Sequence, residues 1–283
     1  MATYFRERGL PVPKELERTP LTDWRRLVTI AVAVAVIAVG LRVTDIDTSR
    51  ANPAYALSIL LQLFQFDFSI LTPQNEFETF WDTATGLMIV TIFLGIIATA
   101  FAILFAVPLS FLGARNIMTG NPITAAIYAL VRLLFTVIRS IDVLIVVIIT
   151  AVIFGLGSAA GVFALAFHNV GVMGKLYSEA IEGIDAGPIE AITATGANRF
   201  QVIWTAVLPQ LVNPFVSFSI YRLDTNVRLA IIIGLVGGGG IGQPLFQFIQ
   251  LLQYRKAGLV IFMIIVTVAA MDFISAQVRK RLV

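Results

Sequence analysis

Cysteine is absent from this chain, and histidine occurs once, at position 168. The first absence excludes disulfides, thiolate metal sites and thiol catalysis. The second argues against an imidazole metal site or a catalytic dyad, and no metal-ligand spacing of other residues replaces it. Charge is also scarce. Asp, Glu, Lys and Arg make up 13% of 283 residues, where a soluble domain carries about 25%. Such a chain cannot cover a globular surface with charge. The net charge of +3 is small, and no cluster of basic residues on a soluble face supports nucleic-acid binding. A cleavable signal pattern is missing as well. Residues 1–26 are polar, with Arg6, Arg8, Lys14, Arg18, Arg25 and Arg26, and no short apolar stretch follows in the usual window.

What the chain has instead is apolar length. Hydrophobic residues make up 58%, and the mean hydropathy is +0.90. A bilayer-crossing helix needs about 20 apolar residues. Six stretches approach that: 27–41, 83–112, 123–154, 161–176, 209–234 and 257–276. The predicted fold is therefore all-α, a polytopic membrane protein with about six transmembrane helices. The domain reading is a cytoplasmic arm at 1–26, a first span and external segment at 27–82, and a transmembrane domain at 83–283. The last of these carries a cytoplasmic loop at 182–208.

Orientation follows from the basic residues. The Arg-rich arm and the closing Arg279-Lys280-Arg281 place both termini in the cytoplasm. The segment after the first span is acidic, with Asp45, Asp47, Asp67, Glu76 and Glu78, and lies outside. Arg255 and Lys256 fall on the outer side and run against this rule. Asn121-Pro122 starts a helix, because Pro is tolerated in a first turn. Arg132 and Arg139 are seven residues apart and share a helix face, where both reach back to the cytoplasmic headgroups. Asp142 lies deeper, and either pairs with Arg139 or lines a pathway.

Polar residues interrupt this apolar background at three places. The first is the loop running Glu190-Ala191-Ile192-Thr193-Ala194-Thr195-Gly196 and reaching Leu208-Pro209. Ala191, Ala194 and Ala197 are small and three apart, so a partner can approach closely. Gly196 can end one helix and Asn198 can cap the next. The second is the fifth span, with Arg222, Asp224, Asn226 and Arg228. Charges at mid-bilayer cost about 2.5–3.5 kcal/mol each on insertion scales. Asp224 and Arg228 are four apart and can pair. Arg222 has no such partner, and serves either an anion pathway or a structural ion pair between helices or subunits. His168 is either a buried, hydrogen-bonded group or a pathway residue. The third is the run Gly237-Gly238-Gly239-Gly240-Ile241-Gly242. It lacks the preceding strand and the following Lys-Ser/Thr of a nucleotide loop, and reads as a tight non-helical turn near the outer face.

The loop resembles the EAA loop of permease subunits of bacterial ABC importers. Glu190, Ala191, Gly196, Leu208 and Pro209 sit at the spacing of that motif, while Ile192 and Ala206 depart from it. The stretch 155–242 is similar to the permease of phosphonate ABC importers. The matching pieces include Phe167-His168-Asn169-Val170-Gly171, Tyr221-Arg222 with Asn226-Val227-Arg228, and the glycines 237, 239, 240 and 242. The resemblance implies a type I ABC importer permease fold, a homodimer in the bacterial inner membrane and an external solute-binding protein. It also implies two cytoplasmic ATPase subunits docked through the Glu190 loop. ATP and Mg would sit on those ATPase subunits, and this chain would hold no cofactor, metal or catalytic residue. The expected cargo is a phosphonate or a related phosphorus oxyanion (phosphate, phosphite). The alternative is an importer for another solute, such as an amino acid. A membrane enzyme would need catalytic groups clustered at one depth, and a lone ion-coupled transporter would show internal repeats; neither is found.

Overall fold

The computed structural model describes residues 8–9, 24–44, 52–73, 75 and 78–280. Most of the basic arm lies outside the described residues, as do Asp45, Asp47, Glu76 and Arg281. Every regular element among the described residues is helical. The chain divides into two compact units, Met1–Leu57 and Ser58–Val283. The first holds helix α1, Trp24–Val43, which contains the expected first span; its apolar part, Leu27–Val43, is shorter than the spans that follow. Helix α2, Pro53–Leu63, begins in this unit, where Asn52 Oδ1 accepts from the amides of Ala54 and Tyr55 at 3.1 and 3.2 Å.

The second unit carries helices α3 (Ala84–Leu112), α4 (Arg115–Met118), α5 (Pro122–Ser140), α6 (Val143–Phe154) and α7 (Ser158–Glu182). These are followed by α8 (Ala186–Ala194), α9 (Arg199–Val202), α10 (Leu208–Gly234), α11 (Gly242–Gln250) and α12 (Tyr254–Lys280). Among the described residues, five helical stretches are long and apolar enough to cross a membrane: α3, α5, α7, Phe200–Gly234 and α12. Their starts follow from capping side chains. Thr83 accepts from the Gly86 amide at 3.2 Å to open α3, and Asn121 accepts from Ile123 at 3.3 Å to open α5.

The apolar run 123–154 is two helices rather than one. Ile141 is extended, and Asp142 caps α6 by accepting from the Leu144 amide at 2.8 Å. The carboxylate is thus spent on an orphan helix donor. Asp142 forms no ion pair with Arg139 among the described residues. Arg132 also departs from expectation. It turns inward onto Glu182 at 2.6 Å and Glu179 at 3.8 Å, because two carboxylates on α7 offer more than a headgroup does.

Helix α7 is the centre of the unit. It packs against α3, α5, α6 and α10, and its contact with α3 is the most extensive among the described residues. Between lipid-embedded helices there is no hydrophobic drive, so association depends on close packing of small residues. Ala98, Ala102 and Ala106 of α3 and Ala160 and Ala164 of α7 are fully buried. Gly95 brings α3 against the backbone of α10: a Cβ there would stand 2.8 Å from Val227 Cγ2 and 3.0 Å from the Val227 nitrogen.

Arg255 and Lys256, the two cations that ran against the charge rule, have local partners. Arg255 Nε donates to the Gln65 carbonyl at 3.1 Å, and the Asp67 amide donates to the Arg255 carbonyl at 3.4 Å. Hydrogen bonds from Ser69, with Lys256 and Arg255 adding their charge, hold the Asp67 carboxyl below its usual range.

Replacing Gly95 with Leu should push α3 away from α10 and cost about 1–3 kcal/mol, the usual price of overpacking. A thermal melt of the purified protein in detergent checks this. An unchanged melting temperature would show that the two helices do not need this approach.

Candidate functional site

The loop begins where α7 ends, and both of its ends are tied to the bundle. At the near end, Glu182 Oε1 accepts from Arg132 Nη2 at 2.6 Å and from the Arg115 amide at 2.7 Å. Arg132 Nε also donates to the Gly113 carbonyl at 2.9 Å, and Asn116 donates to the Ile181 carbonyl at 2.8 Å. At the far end, Gln210 of α10 accepts from the Asp185 amide at 2.9 Å and donates to the Asp185 and Ala206 carbonyls at 3.3 and 2.8 Å. Between these ties α8 stands clear: none of its residues is buried, and Glu190 and Ala191 are exposed. Asp185 caps α8 by accepting from the Gly187 amide at 3.0 Å. Gly196, at φ +82°, makes the left-handed turn after it. Asn198 and Gln201 then exchange a reciprocal pair of bonds, both 2.9 Å, which opens α9. One π-helical turn, Ile203–Val207, leads into Leu208 and Pro209 at the start of α10. Phe200, Ile203 and Trp204 remain exposed beside α8.

The second group of residues lies in the middle of the spans. Arg222, Asp224 and Asn226 of α10 are buried, as is Asn169 of α7. Asn169 Oδ1 accepts from Arg222 Nε at 2.9 Å and also from Nη2. Asn169 Nδ2 donates to Asn226 Oδ1 and to the Leu165 carbonyl, both at 2.7 Å. Asn226 Nδ2 donates to Thr99 Oγ1 of α3 at 2.7 Å, and Thr99 donates to the Gly95 carbonyl at 2.6 Å. One chain of hydrogen bonds therefore crosses three spans. Arg222, which has no partner by helical spacing, finds one across the bundle in a neutral amide. Arg228 pairs with Asp224, as the spacing predicts, and reaches Asp272 of α12 at 3.4 Å. His168 is half-buried next to Asn169, and its Nδ1 is buried without a partner.

Sequence reading overlooked a third feature. Asn213, Ser217, Tyr221, Thr225 and Arg228 recur every three or four residues along α10, and none is buried. A polar stripe along one face of a membrane helix is costly against lipid and suits water or another polar surface. The three- and four-residue spacing was its available signal.

The glycine run is a non-helical turn, and Gly238, Gly239, Gly240 and Gly242 are buried. Gly237, Gly239 and Gly240 have φ of +92°, +78° and +77°, which side chains disfavour. The Gly237 carbonyl accepts from the Gly157 amide at 2.8 Å, and the Ile241 amide donates to Thr91 Oγ1 at 2.8 Å. Beside it, a cleft of about 900 Å³ is lined by residues that include Thr72, Asn75, Glu78, Asp82, Phe248 and Lys256. Among the described residues no group of three or more His, Asp or Glu side chains suits a metal.

Residues 106–283 match the family described as binding-protein-dependent transport system inner membrane component. The chain is 38% identical over 193 residues to a phosphate-import permease protein, PhnE, of Mycolicibacterium smegmatis. That match takes in 68% of this chain and 36% of the relative, so the chain spans about a third of the relative's length. It is 37% identical over 193 residues to the phosphite transport system permease protein PtxC of Stutzerimonas stutzeri, covering 68% of this chain and 69% of that one. In structure it resembles the inward-facing MetNI methionine ABC transporter, with a TM-score of 0.59 at 23% identity. That likeness covers 69% of this chain and 94% of the other, and establishes the fold alone.

The polar chain makes a measurable demand. Asn226→Leu should cost about 1–3 kcal/mol, because it strands buried amide groups. Thr99→Val should cost less, and the double variant less than the sum, since the two share one bond. Strictly additive losses in thermal melts would show that Thr99 and Asn226 do not act together.

Proposed function

Because the chain belongs to the binding-protein-dependent transport system inner membrane component family, we propose that it forms the translocation pathway of an ATP-driven importer for phosphonate or a related phosphorus oxyanion. It is a multi-pass inner-membrane permease and not an enzyme. Two copies enclose the path, and each docks one cytoplasmic ATPase subunit, where ATP and Mg bind. A solute-binding protein delivers the cargo from outside, and both termini face the cytoplasm. The relatives that import phosphate and phosphite support the cargo class.

One observation carries the coupling role. Helix α8 has no buried residue, yet the chain just before it is anchored through Glu182 to α5 and through Asp185 to Gln210 of α10. A load applied to α8 therefore reaches several spans at once. Glu190, Ala191, Gly196, Leu208 and Pro209 form this docking element. The polar stripe of α10, facing its counterpart in a second copy, supplies the wet side of the path. The glycine turn at Gly237, Gly239, Gly240 and Gly242 braces its outer end, beside the cleft open to the external protein.

The test is uptake into vesicles that hold the chain with its ATPase and binding protein. Labelled phosphonate, phosphite and phosphate should enter only when ATP and all components are present. Uptake by the chain alone, without ATP, would overturn the importer reading. Glu190→Ala and Gly196→Pro should cut uptake at least about tenfold, a loss of about 1.4 kcal/mol of coupling, while ATP hydrolysis persists. Unimpaired uptake in both would remove the docking role from this loop.

A further inference from the structure

Acid outnumbers base where α10 meets α12. Arg228 Nη2 faces a carboxylate oxygen of Asp224, four residues back on the same helix, and Asp272 Oδ1 of α12 at 3.4 Å. Two carboxylates therefore converge on one nitrogen of one guanidinium. With all three groups ionised, the cluster carries one uncompensated negative charge. It lies within two of the helical stretches long and apolar enough to cross a membrane.

The surroundings supply no counter-charge. Helices α3, α6 and α11 and the turns Phe68–Leu71 and Ile203–Val207, which pack against α10 or α12, carry no titratable side chain. On α7, Lys175, Glu179 and Glu182 belong to the Arg132 network, and His168 precedes Asn169, which holds Arg222 of α10. On α12 the next cation, Arg279, lies seven residues beyond Asp272 and donates to the Ser275 carbonyl at 3.3 Å. A separate observation falls on the same carboxylate. Asp224 is 5% exposed, and its Oδ2 accepts from Arg228. Its Oδ1 is sealed from solvent and has no hydrogen-bond partner. A buried oxygen of this kind needs a donor. The charge count and the orphan oxygen thus ask for one thing, a positive charge that can donate a hydrogen bond. A metal ion gathers several oxygen ligands, and among the described residues no third metal-ligating side chain joins the pair. A proton needs one carboxyl to carry it and one carboxylate to accept from it.

We propose that Asp224 and Asp272 form a proton-binding site, in which one proton shared by the two carboxylates bridges α10 to α12. Asp272 is half-exposed, so it takes the proton from water, and its O–H donates to Asp224 Oδ1. Asp224 Oδ2 keeps Arg228. Carboxylates this close repel when both are ionised and titrate as a pair. The loaded cluster is neutral and the empty one negative. Arg228 belongs to the exposed polar stripe of α10, so loading removes a negative charge from the face that lines the path, and the loaded state is the one that admits an anion. The proton site stands on the cluster itself; its effect on uptake rests on the transport reading above.

The experiment follows the purified permease–ATPase complex by infrared absorption through a pH titration, in water and in heavy water. The native complex should show a protonated-carboxyl C=O band near neutral pH that shifts on deuteration and disappears in alkali. Asp224→Asn and Asp272→Asn should each remove it, because the one carboxylate left pairs with Arg228. A native complex without such a band, or a band that survives both substitutions, would overturn the site. The native titration decides even if a variant fails to fold. Melting temperature should be the same in sodium, potassium and choline chloride. A saturable rise with sodium or potassium that Asp272→Asn abolishes would replace the proton with a metal ion. In vesicles, native uptake should fall across the pH range in which the band is lost, and Asp272→Asn should flatten that fall for the same cargo, which separates the site from the cargo's own ionisation. An equally steep fall in Asp272→Asn would remove the proton's role in transport. No uptake with every component present would sink the transport reading and leave the infrared result standing.

Discussion

The hydrogen-bond chain from Arg222 through Asn169 and Asn226 to Thr99 fixes where three spans can sit. Hydrocarbon offers no water to a stranded amide, so each of these groups must find its partner inside the protein. The net gain per interhelical bond in a membrane is modest, averaging about 0.6 kcal/mol. Its value lies in register. Sliding α7 by one turn against α10 would part Asn169 from both Arg222 and Asn226. The small residues permit α3, α7 and α10 to approach, and the polar chain selects one of the approaches they permit.

The end of the bundle at Glu182 follows the same logic with charge in place of amides. Glu182 closes α7 and collects the Arg132 side chain and the Arg115 amide. Gln210 then ties the start of α8 to the start of α10. Both ties meet the chain just before α8, at Glu182 and Asp185, so the helix is fixed to two spans at its N-terminal end. The polar middle of the bundle and the loop that holds α8 are therefore linked through α7 and α10.

Much of this was legible in the sequence, and the limits have physical causes. Span positions followed from apolar length, because a bilayer sets a minimum that composition can meet or miss. The loop turn at Gly196, the Asn198 cap and the Asp224–Arg228 pair followed from local geometry, which spacing encodes. The break at Ile141 did not, since long apolar runs lie on both sides and the capping residue, Asp142, reads equally as half of an ion pair or as a pathway residue. The partners of Arg222 and Arg132 were also hidden. Asn169 lies 53 residues from Arg222, and Glu182 lies 50 from Arg132. No helical period connects such pairs, and in each case the fold supplied a partner that local counting could not reach.

An amide is an unusual holder for a buried guanidinium, and the direction of the chain explains why it suffices. Asn169 Nδ2 is committed to both Leu165 and Asn226, so its oxygen has to face Arg222. Asn226 is oriented in turn, because its nitrogen donates to Thr99, whose hydroxyl hydrogen goes to the Gly95 carbonyl. Every donor in the chain therefore points away from Arg222 and every accepting oxygen toward it. Aligned dipoles of this kind polarise one another and support a cation without neutralising it. A carboxylate at position 169 would hold Arg222 more tightly, but it would satisfy the charge permanently. The neutral relay fixes where the guanidinium points and leaves its charge without a carboxylate partner among the described residues.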